Sequence, residues 1–401
     1  MMQGHPPVPV PAISDVEADA RLQSNHFDLE AMLAKADGSF HAGDGKAAAS
    51  FYRAIARLIQ QRGASNRTEA DAAERCARMS AWFDARFRDH LLASLDTAGF
   101  SVANRHPRFQ KSLEMMLGER ERPPEYRQFP QTPLVHYYPE LPYVQFADPA
   151  NFDWVSKLEA EFPALRDEAV ALLEGHADFR PYVKRDLQRP QGDVHGMLEN
   201  PDWSTLFLWE NGAAVEDHVA LCPKLFDAVM RHIPLCHIGR RAPSVMLSLL
   251  RPGARIPPHT GMINCRYICH LPLVVPPDCG FRVGDRTIEW QEGKVIIFDD
   301  TVQHEAWNNS DRNRLVLIFD IWRPELDESE HAQITTLFHA VDSYSERRRS
   351  PLAVLANQFA HRTVKAFKCQ GIHPVLHQFL DDLGRLRIVP MRLGRRVQPD
   401  G

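Results

Sequence analysis

Residues 279–298 read CGFRVGDRTIEWQEGKVIIF, and this stretch decides the fold class. Three short runs rich in Val, Ile and aromatic residues are separated by turn signals at Gly284-Asp285 and Glu292-Gly293. Val283-Gly284-Asp285-Arg286 has the form of a two-residue β-hairpin turn with its flanking residues. The stretch therefore predicts consecutive antiparallel strands without helices between them.

The same texture extends on both sides of this stretch. Between residues 244 and 322 the sequence is a series of short apolar runs punctuated by turn residues. Short strands that follow one another without crossover helices are typical of an antiparallel sandwich or barrel. The predicted strands are Ser244–Leu250, Cys265–Val275, Gly280–Val283, Arg286–Trp290, Val295–Phe298 and Arg314–Trp322.

The N-terminal part of the chain has helical spacing instead. Two predicted helices, one from Phe27 and one from Ala47, are joined through Gly43-Asp44-Gly45. Ala47, Phe51 and Ala54 lie at i, i+4 and i+7, which is one face of a helix. The pair resembles one tetratricopeptide unit, and a generic helical hairpin is the alternative.

Composition and texture divide the chain into five segments. Six prolines between Arg122 and Pro142 disfavour helix there, so that region is predicted to be a domain boundary or an extended strap. The predicted segments are a flexible leader (1–14), an α-helical domain (15–120), a proline-rich linker (121–149), a β-rich domain (150–326) and a basic helical C-terminal extension (327–401).

The overall composition excludes several classes of protein. The chain has 401 residues and a net charge of −5, which argues against a nucleic-acid binder. We find no run near the ~18 apolar residues of a membrane helix and no secretory signal, so a cytoplasmic location is expected. The 7 cysteines form no CxxC pair, which fits reduced thiols and excludes zinc fingers and thioredoxin-type motifs.

Two histidines stand out among the predicted strands. His259 lies in the run Pro257–Gly261, just past a strand and turn, and His304 follows the strand that ends at Phe298. Neutral imidazole is a common ligand for ferrous iron, and a jelly-roll barrel can bring two such loops together at its mouth. Many iron oxygenases add a carboxylate two residues after the first histidine, where this chain has Gly261. Taken singly, each histidine also fits a structural or surface role.

Strand alternation identifies further candidate site residues beside these histidines. Arg314 shares a strand face with Val316 and Ile318, and a guanidinium among apolar residues needs a partner. A dicarboxylate cosubstrate would be such a partner, because the guanidinium fork matches a carboxylate. A salt bridge to Asp299, Asp300 or Asp320 is the alternative. Two further same-face sets are Arg266, Ile268 and His270, and Met246, Ser248 and Leu250.

Residues 150–326 resemble the aspartyl/asparaginyl β-hydroxylases, a family of oxygenases that depend on 2-oxoglutarate and iron(II). The resemblance implies an α+β chain whose oxygenase domain is a double-stranded β-helix (a jelly-roll, cupin-like barrel), preceded by an α-helical domain and followed by a helical tail. The blocks that carry it are Trp203–Gly212, Cys222–Lys224, Ser248–Gly261, Asn264–Leu271, Trp290–Lys294, Phe298–Asn308 and Arg314–Leu326.

The resemblance also implies roles for individual residues. His259 and His304 match the two iron ligands, and the family lacks the carboxylate ligand, so Gly261 agrees with it. Asp300 matches an acidic residue that holds iron-bound water. Ile268 departs from the vertebrate enzymes, which have an arginine associated with substrate there. The implied 2-oxoglutarate-binding residues are Ser248, His270 and Arg314, and the residues expected to line the substrate site are Trp203, Arg266 and Trp307.

These matches imply a hydroxylase that uses Fe(II), 2-oxoglutarate and O₂. The expected substrate is the β-carbon of an aspartyl or asparaginyl residue, in a peptide or protein, or a related amino-acid-like or carrier-bound compound. A lipid A acyl-chain hydroxylase of the same family is one alternative. A catalytically inactive helical-repeat scaffold that only binds a partner is another.

The segments outside the predicted barrel suggest two further partners. The N-terminal helices offer a surface for a protein partner. Residues 340–401 hold eleven Lys/Arg against five Asp/Glu and could contact an anionic membrane surface peripherally. A solvated basic face is the alternative, and the lack of interleaved aromatics argues against nucleic acid.

Overall fold

The computed structural model describes residues 5–175, 177–190 and 196–344. Most of the predicted basic C-terminal extension, from residue 345 onward, lies outside the described residues. So does the peripheral membrane contact expected of it. Among the described residues, we find no helix with the length and apolar character needed to cross a membrane.

Two antiparallel sheets form the barrel, which confirms the predicted jelly-roll fold. The larger sheet has the strand order β1-β10-β7-β12-β5-β3-β2, with β4 paired to β3, and the smaller has the order β6-β11-β8-β9. The strands are β1 (Phe146–Ala147), β2 (Arg180–Pro181), β3 (Trp203–Glu210), β4 (Ala213–Ala214), β5 (Val245–Leu250), β6 (Arg255–His259), β7 (Arg266–Val274), β8 (Cys279–Val283), β9 (Arg286–Glu289), β10 (Ile296–Phe298), β11 (His304–Asn308) and β12 (Arg314–Trp322).

The six predicted strands are present as β5, β7, β8, β9, β10 and β12, whereas β3, β6 and β11 were not predicted. Strands β8 and β9 form the predicted hairpin, with Val283 opposite Arg286. Alternation on β12 sends Leu315, Leu317 and Phe319 into the hydrophobic core under the outer helices. The opposite face of the same strand, which carries Arg314 and Ile318, therefore points into the barrel, where both residues line a cavity.

Helices cover the barrel and extend it on the N-terminal side. Helices α6, α7 and α9 bury the outer face of the larger sheet. The helices are α1 (Asp15–Ser24), α2 (Leu29–His41), α3 (Gly45–Arg62), α4 (Arg67–Thr97), α5 (Pro107–Met116), α6 (Val155–Ala160), α7 (Phe162–Glu174), α8 (Glu216–Val219), α9 (Pro223–His232) and α10 (Glu328–Ser343), with a short 3₁₀ turn at Pro149–Asn151.

The predicted helical pair is present as α2 and α3. The Asp44 side chain caps α3 by accepting a hydrogen bond from the Ala47 backbone N–H. Ala47 and Phe51 are buried, as their shared face predicts, and Ala54 is half-buried. The tetratricopeptide character of the pair stays a prediction, because a single helical hairpin is compatible with both interpretations.

The segment predicted as a linker, 121–149, does not run free between two bodies. Gln131 forms a β-bridge with Val302 and His136 forms one with Ile263, while β1 extends the larger sheet next to β10. Helices α4, α5 and α10 share one hydrophobic cluster with Tyr138 and Ile263. Part of the helical region and the barrel are therefore packed together through this proline-rich segment.

Candidate active site

The two candidate metal ligands lie side by side at one end of the smaller sheet. His259 is the last residue of β6 and His304 is the first of β11, and the two are directly paired across the ladder. Their ring centroids are 4.1 Å apart, with an angle of 52° between the rings. Strand pairing thus brings together two side chains that are far apart in sequence.

Local hydrogen bonds orient both imidazole rings. Nδ1 of His259 lies 2.8 Å from the Pro257 carbonyl oxygen, and Nδ1 of His304 lies 3.0 Å from that of Val302. Since a carbonyl only accepts, each Nδ1 carries the proton and each Nε2 is left with its lone pair. Burial also holds the pKa of His304 well below its usual value, which keeps that ring neutral. The neutral ring of His304 and the Nδ1–H···O=C geometry of both rings suit the pair to bind a metal through Nε2.

The position of the missing carboxylate ligand is sterically closed. A Cβ added at Gly261 would overlap the carboxylate of Asp300, and the Gly261 N–H donates to the Asp300 carbonyl at 2.6 Å. Asp300 is buried, its Oδ1 has no hydrogen-bond partner in the described structure, and burial raises its pKa to about 7. Asp300 therefore lines the cavity beside His259 and His304 with a carboxyl group whose pKa is raised by burial.

Arg314 is a buried cation without a carboxylate partner among the described residues. Its side chain is almost fully buried, with the residue 2% exposed, and Nε has no hydrogen-bond partner. Nη2 donates to Ser248 Oγ at 3.3 Å, and the guanidinium lies 5.3 Å from the centre of the Trp290 ring. Burial lowers its pKa to about 10, so it is still charged at neutral pH. A charge this deeply buried calls for an anionic ligand.

The alternative salt bridges to Arg314 are not formed, because the three aspartates have other partners. Asp299 accepts from Arg323 Nη1 at 3.0 Å, and Asp320 pairs with Arg266. Asp300 Oδ2 lies 3.9 Å from Arg266 Nη2. Because Arg314 pairs with none of these three carboxylates, an anionic ligand remains the interpretation of its buried charge.

Polar atoms from neighbouring strands converge with Arg314 on the same cavity. Trp203 Nε1 donates to Ser248 Oγ at 3.2 Å. His270 stacks on Trp290 with a centroid distance of 5.5 Å, and its Nδ1 has no partner in the described structure. Burial, together with the nearby Arg314 charge, holds the pKa of His270 well below its usual value. His259 and His304 also line this cavity, whose volume is about 280 Å³.

The comparison with known proteins agrees with this geometry. Residues 159–324 match the family model described as aspartyl/asparaginyl beta-hydroxylase. This segment is similar to the aspartyl/asparaginyl β-hydroxylases, and we refer to it below as the β-hydroxylase domain. The match covers most of the barrel and the helices on its outer face, and it starts after the proline-rich segment.

Relatives of this β-hydroxylase domain carry different substrates in their names. The human aspartyl/asparaginyl beta-hydroxylase is 33% identical over 184 residues, which are 46% of this chain and 23% of that protein. The ornithine lipid ester-linked acyl 2-hydroxylase of Rhizobium tropici is 33% identical over 180 residues, 44% of this chain and 60% of that one. The chain thus spans less than two thirds of either relative.

A solved structure with a similar barrel was also found. A prolyl-4-hydroxylase from Pseudomonas putida is 15% identical, with a TM-score of 0.26, over 42% of this chain and 99% of that one. At this level of similarity the match carries no argument about function.

Most of the sequence-predicted site residues of the β-hydroxylase domain line its cavity, and Trp307 does not. Alternation along β11 turns His304 and Ala306 into the cavity and Trp307 to the opposite face. There Arg255 lies 5.4 Å from the centre of the Trp307 ring. The predicted residues that line the cavity are His259, His304, Ser248, His270, Arg314, Asp300, Trp203 and Arg266.

Several cavity residues of the β-hydroxylase domain were not identified from the sequence. Tyr182 stacks on Trp203 at a centroid distance of 4.3 Å and lines the opening. It follows the two-residue strand β2, which is too short to give a periodic signal. Met246 and Ile318 add apolar walls, on the strand faces that alternation had already assigned them beside Ser248 and Arg314.

Proposed function

We propose that the β-hydroxylase domain is a 2-oxoglutarate- and Fe(II)-dependent hydroxylase. The observation that carries the proposal is the buried guanidinium of Arg314, which has no carboxylate partner among the described residues and lies in the same cavity as the paired His259 and His304. When bound together, Fe(II), 2-oxoglutarate and O₂ supply the oxidising power to hydroxylate a C–H bond.

The two histidines would hold the metal through Nε2. Their Nδ1 atoms are fixed by backbone carbonyls, so the rings keep their orientation before metal binds. Asp300 would hold or exchange a proton of a water molecule through Oδ1, the atom that has no partner in the described structure. A side chain at position 261 could not supply a third ligand beside it, because its Cβ would overlap the Asp300 carboxylate.

Arg314 and its neighbours would bind the cosubstrate. The guanidinium and the Ser248 hydroxyl would hold the carboxylate remote from the metal, and the Nδ1 atom of His270 offers a further polar contact. Trp203 orients Ser248 by a hydrogen bond, and Trp290 covers Arg314. These indoles also exclude water, which strengthens the ion pair.

The charged residues that line the cavity indicate which charge the substrate side chain can carry. Among the described residues that line it, the cations are Arg266 and Arg314, and Arg266 already pairs with Asp320. An acidic substrate side chain would find no free cation once 2-oxoglutarate occupied Arg314. The wall next to Arg266 is Ile268, where an arginine would have supplied that charge. This favours an uncharged target, such as an asparaginyl side chain, over an aspartyl one.

An acyl chain is the second candidate substrate. Met246, Ile268 and Ile318 give the cavity an apolar wall, which suits an alkyl group. The rhizobial relative, whose name gives a lipid-linked acyl chain as its target, supports the same class. Lipid A and ornithine-type lipids share this chemistry and are separated only by their head groups.

Turnover assays test both parts of the proposal. We expect the full-length protein to convert 2-oxoglutarate to succinate in the presence of Fe(II) and O₂, and His304→Ala to lose this conversion. Offered separately, an acyl lipid, an asparaginyl peptide and an aspartyl peptide should differ in coupled turnover and in the gain of one oxygen atom by mass spectrometry. Retained succinate formation in His304→Ala would refute the ligand assignment.

A further inference from the structure

A segment outside the matched family region touches the two loops that flank the candidate metal ligands. We call residues 131–138 the strap. Its backbone runs beside the loop after His259 and the loop before His304, so one segment is hydrogen-bonded to both. The bonds are Thr132 N–H to Thr301 O at 2.7 Å, Leu134 N–H to Gly261 O at 3.0 Å, and His136 N–H to Met262 O at 3.1 Å.

Gln131 adds a side chain to this connection. It is buried, with 3% of the residue exposed. Its Nε2 donates to Asp299, in the loop that leads into His304. Its Oε1 accepts from Asn264 Nδ2 at 3.4 Å, and Asn264 lies in the loop that follows His259. One neutral amide therefore joins the two loops that flank the candidate ligands.

Each partner of Gln131 is itself held by further bonds. Asp299 accepts from Arg323 Nη1 at 3.0 Å and from the Thr301 N–H at 2.9 Å. The Asn264 Oδ1 accepts from the Tyr138 N–H at 2.6 Å, and its Nδ2 donates to the Tyr138 carbonyl at 2.9 Å. Asp299 fixes one loop and Asn264 fixes the other. The Gln131 amide is bonded to both, so it couples the two fixed points.

We propose that Gln131 is a positioning residue for the pair His259 and His304. The inference rests on the proposed function, in which this pair binds Fe(II). A site with two protein ligands depends strongly on how well those ligands are held in place before metal binds. The strap extends the functional unit beyond the matched residues 159–324, into the part of the chain that leads from the N-terminal helices.

Metal titration of the full-length protein tests this role. The probe is Co(II) alone, followed under anaerobic conditions by absorption and calorimetry. Gln131→Leu keeps the size and removes both bonds, and Gln333→Leu is the matched control. Gln333 is also buried, at 0% exposure, and bonds the His106 N–H at 3.0 Å and Ser329 Oγ at 2.9 Å on α10.

We expect Gln131→Leu to weaken Co(II) binding by about 10- to 100-fold, the usual effect of removing a group that orients a ligand. Gln333→Leu should bind Co(II) like the wild type, although both variants lose stability. Wild-type affinity in folded Gln131→Leu, or an equal loss in both variants, would overturn the inference alone. A wild-type protein that binds no Co(II) would overturn the proposed function with it.

Hydrogen exchange of the wild-type protein provides a measurement that needs no variant. Adding Co(II) should slow exchange in the peptide that covers residues 131–138, because the acceptors of its amides lie on the loops that the metal draws together. A peptide from α10 should be unaffected. Unchanged exchange in the strap would contradict the coupling.

Discussion

The carboxylate of Asp300 occupies the space that a side chain at position 261 would need. The chain therefore could not gain a third protein ligand by replacing Gly261 alone. A substitution at Gly261 should therefore change two measurable quantities, the unfolding free energy and the affinity for metal.

Gly261→Asp should weaken metal binding instead of strengthening it. The new side chain overlaps Asp300, and overpacking of this kind costs about 1–3 kcal/mol of unfolding free energy. The double variant Gly261→Asp/Asp300→Gly removes the overlap and should recover most of that stability. Chemical denaturation and metal titration of the three proteins check this. A stable single variant with tighter metal binding would contradict the steric account.

Arg314→Met should stabilise the protein in the absence of 2-oxoglutarate while abolishing 2-oxoglutarate binding. Removing a buried charge that has no carboxylate partner in the described structure relieves a desolvation cost, and we expect a gain of about 1–3 kcal/mol in unfolding free energy. Arg323→Met is the matched control. That guanidinium is also buried but pairs with Asp299, so its loss should cost about 3–5 kcal/mol. Equal destabilisation by both variants would show that Arg314 has a counter-ion.

Trp203→Ala and Trp307→Ala should differ in their effect on the KM for 2-oxoglutarate. Trp203 holds the Ser248 hydroxyl, so its loss should raise the KM for 2-oxoglutarate several-fold. Trp307 lies on the other face of its strand, beside Arg255, and its loss should leave that KM close to the wild-type value. Steady-state kinetics of both variants decide the matter, and an equal rise in KM would mean that Trp307 faces the site.

Acid should destabilise the fold through His136. Burial lowers the pKa of this ring to about 4, whereas the unfolded chain titrates near 6.5. Between these values the unfolded state binds more protons, so unfolding free energy rises with pH and falls on acidification from about 6.5 to 4. The full difference amounts to about 3 kcal/mol.

His136→Gln isolates that contribution. Glutamine keeps an N–H for Ser112, the partner of the imidazole Nε2 at 2.7 Å, and does not titrate. Its unfolding free energy should therefore depend less steeply on pH over this range than that of the wild type. Parallel pH profiles would contradict the assignment.

The sequence predicted those parts of the site whose signal is local. Alternation predicted that Arg314, Ser248 and His270 lie on inward faces of their strands. Trp307 lies three residues after His304 on one strand, so it points outward where His304 points inward. Trp307 was expected to line the site, and because no strand was predicted at residues 304–308, only the structure shows the alternation that turns it away. Pairing of His259 with His304 required the barrel topology, which the short strands and turns indicated.

An extended strap was one of the two interpretations of the proline-rich segment, but its contacts could not be predicted, because they are long-range. Six prolines in the surrounding segment remove backbone donors and suggest a spacer. The amides that remain at Thr132, Leu134 and His136 bond to loops that lie more than a hundred residues later in the chain. No pattern within residues 121–149 reveals such partners.

The central claim is that His259, His304 and Arg314 together form one site for Fe(II) and 2-oxoglutarate. Anaerobic absorption spectroscopy tests it most directly. Adding 2-oxoglutarate to the Fe(II)-loaded protein should produce a weak visible charge-transfer band, which His304→Ala should lack and Arg314→Met should show only at much higher 2-oxoglutarate. A wild-type protein without the band, or a His304→Ala variant that retains it at full intensity, would contradict the account.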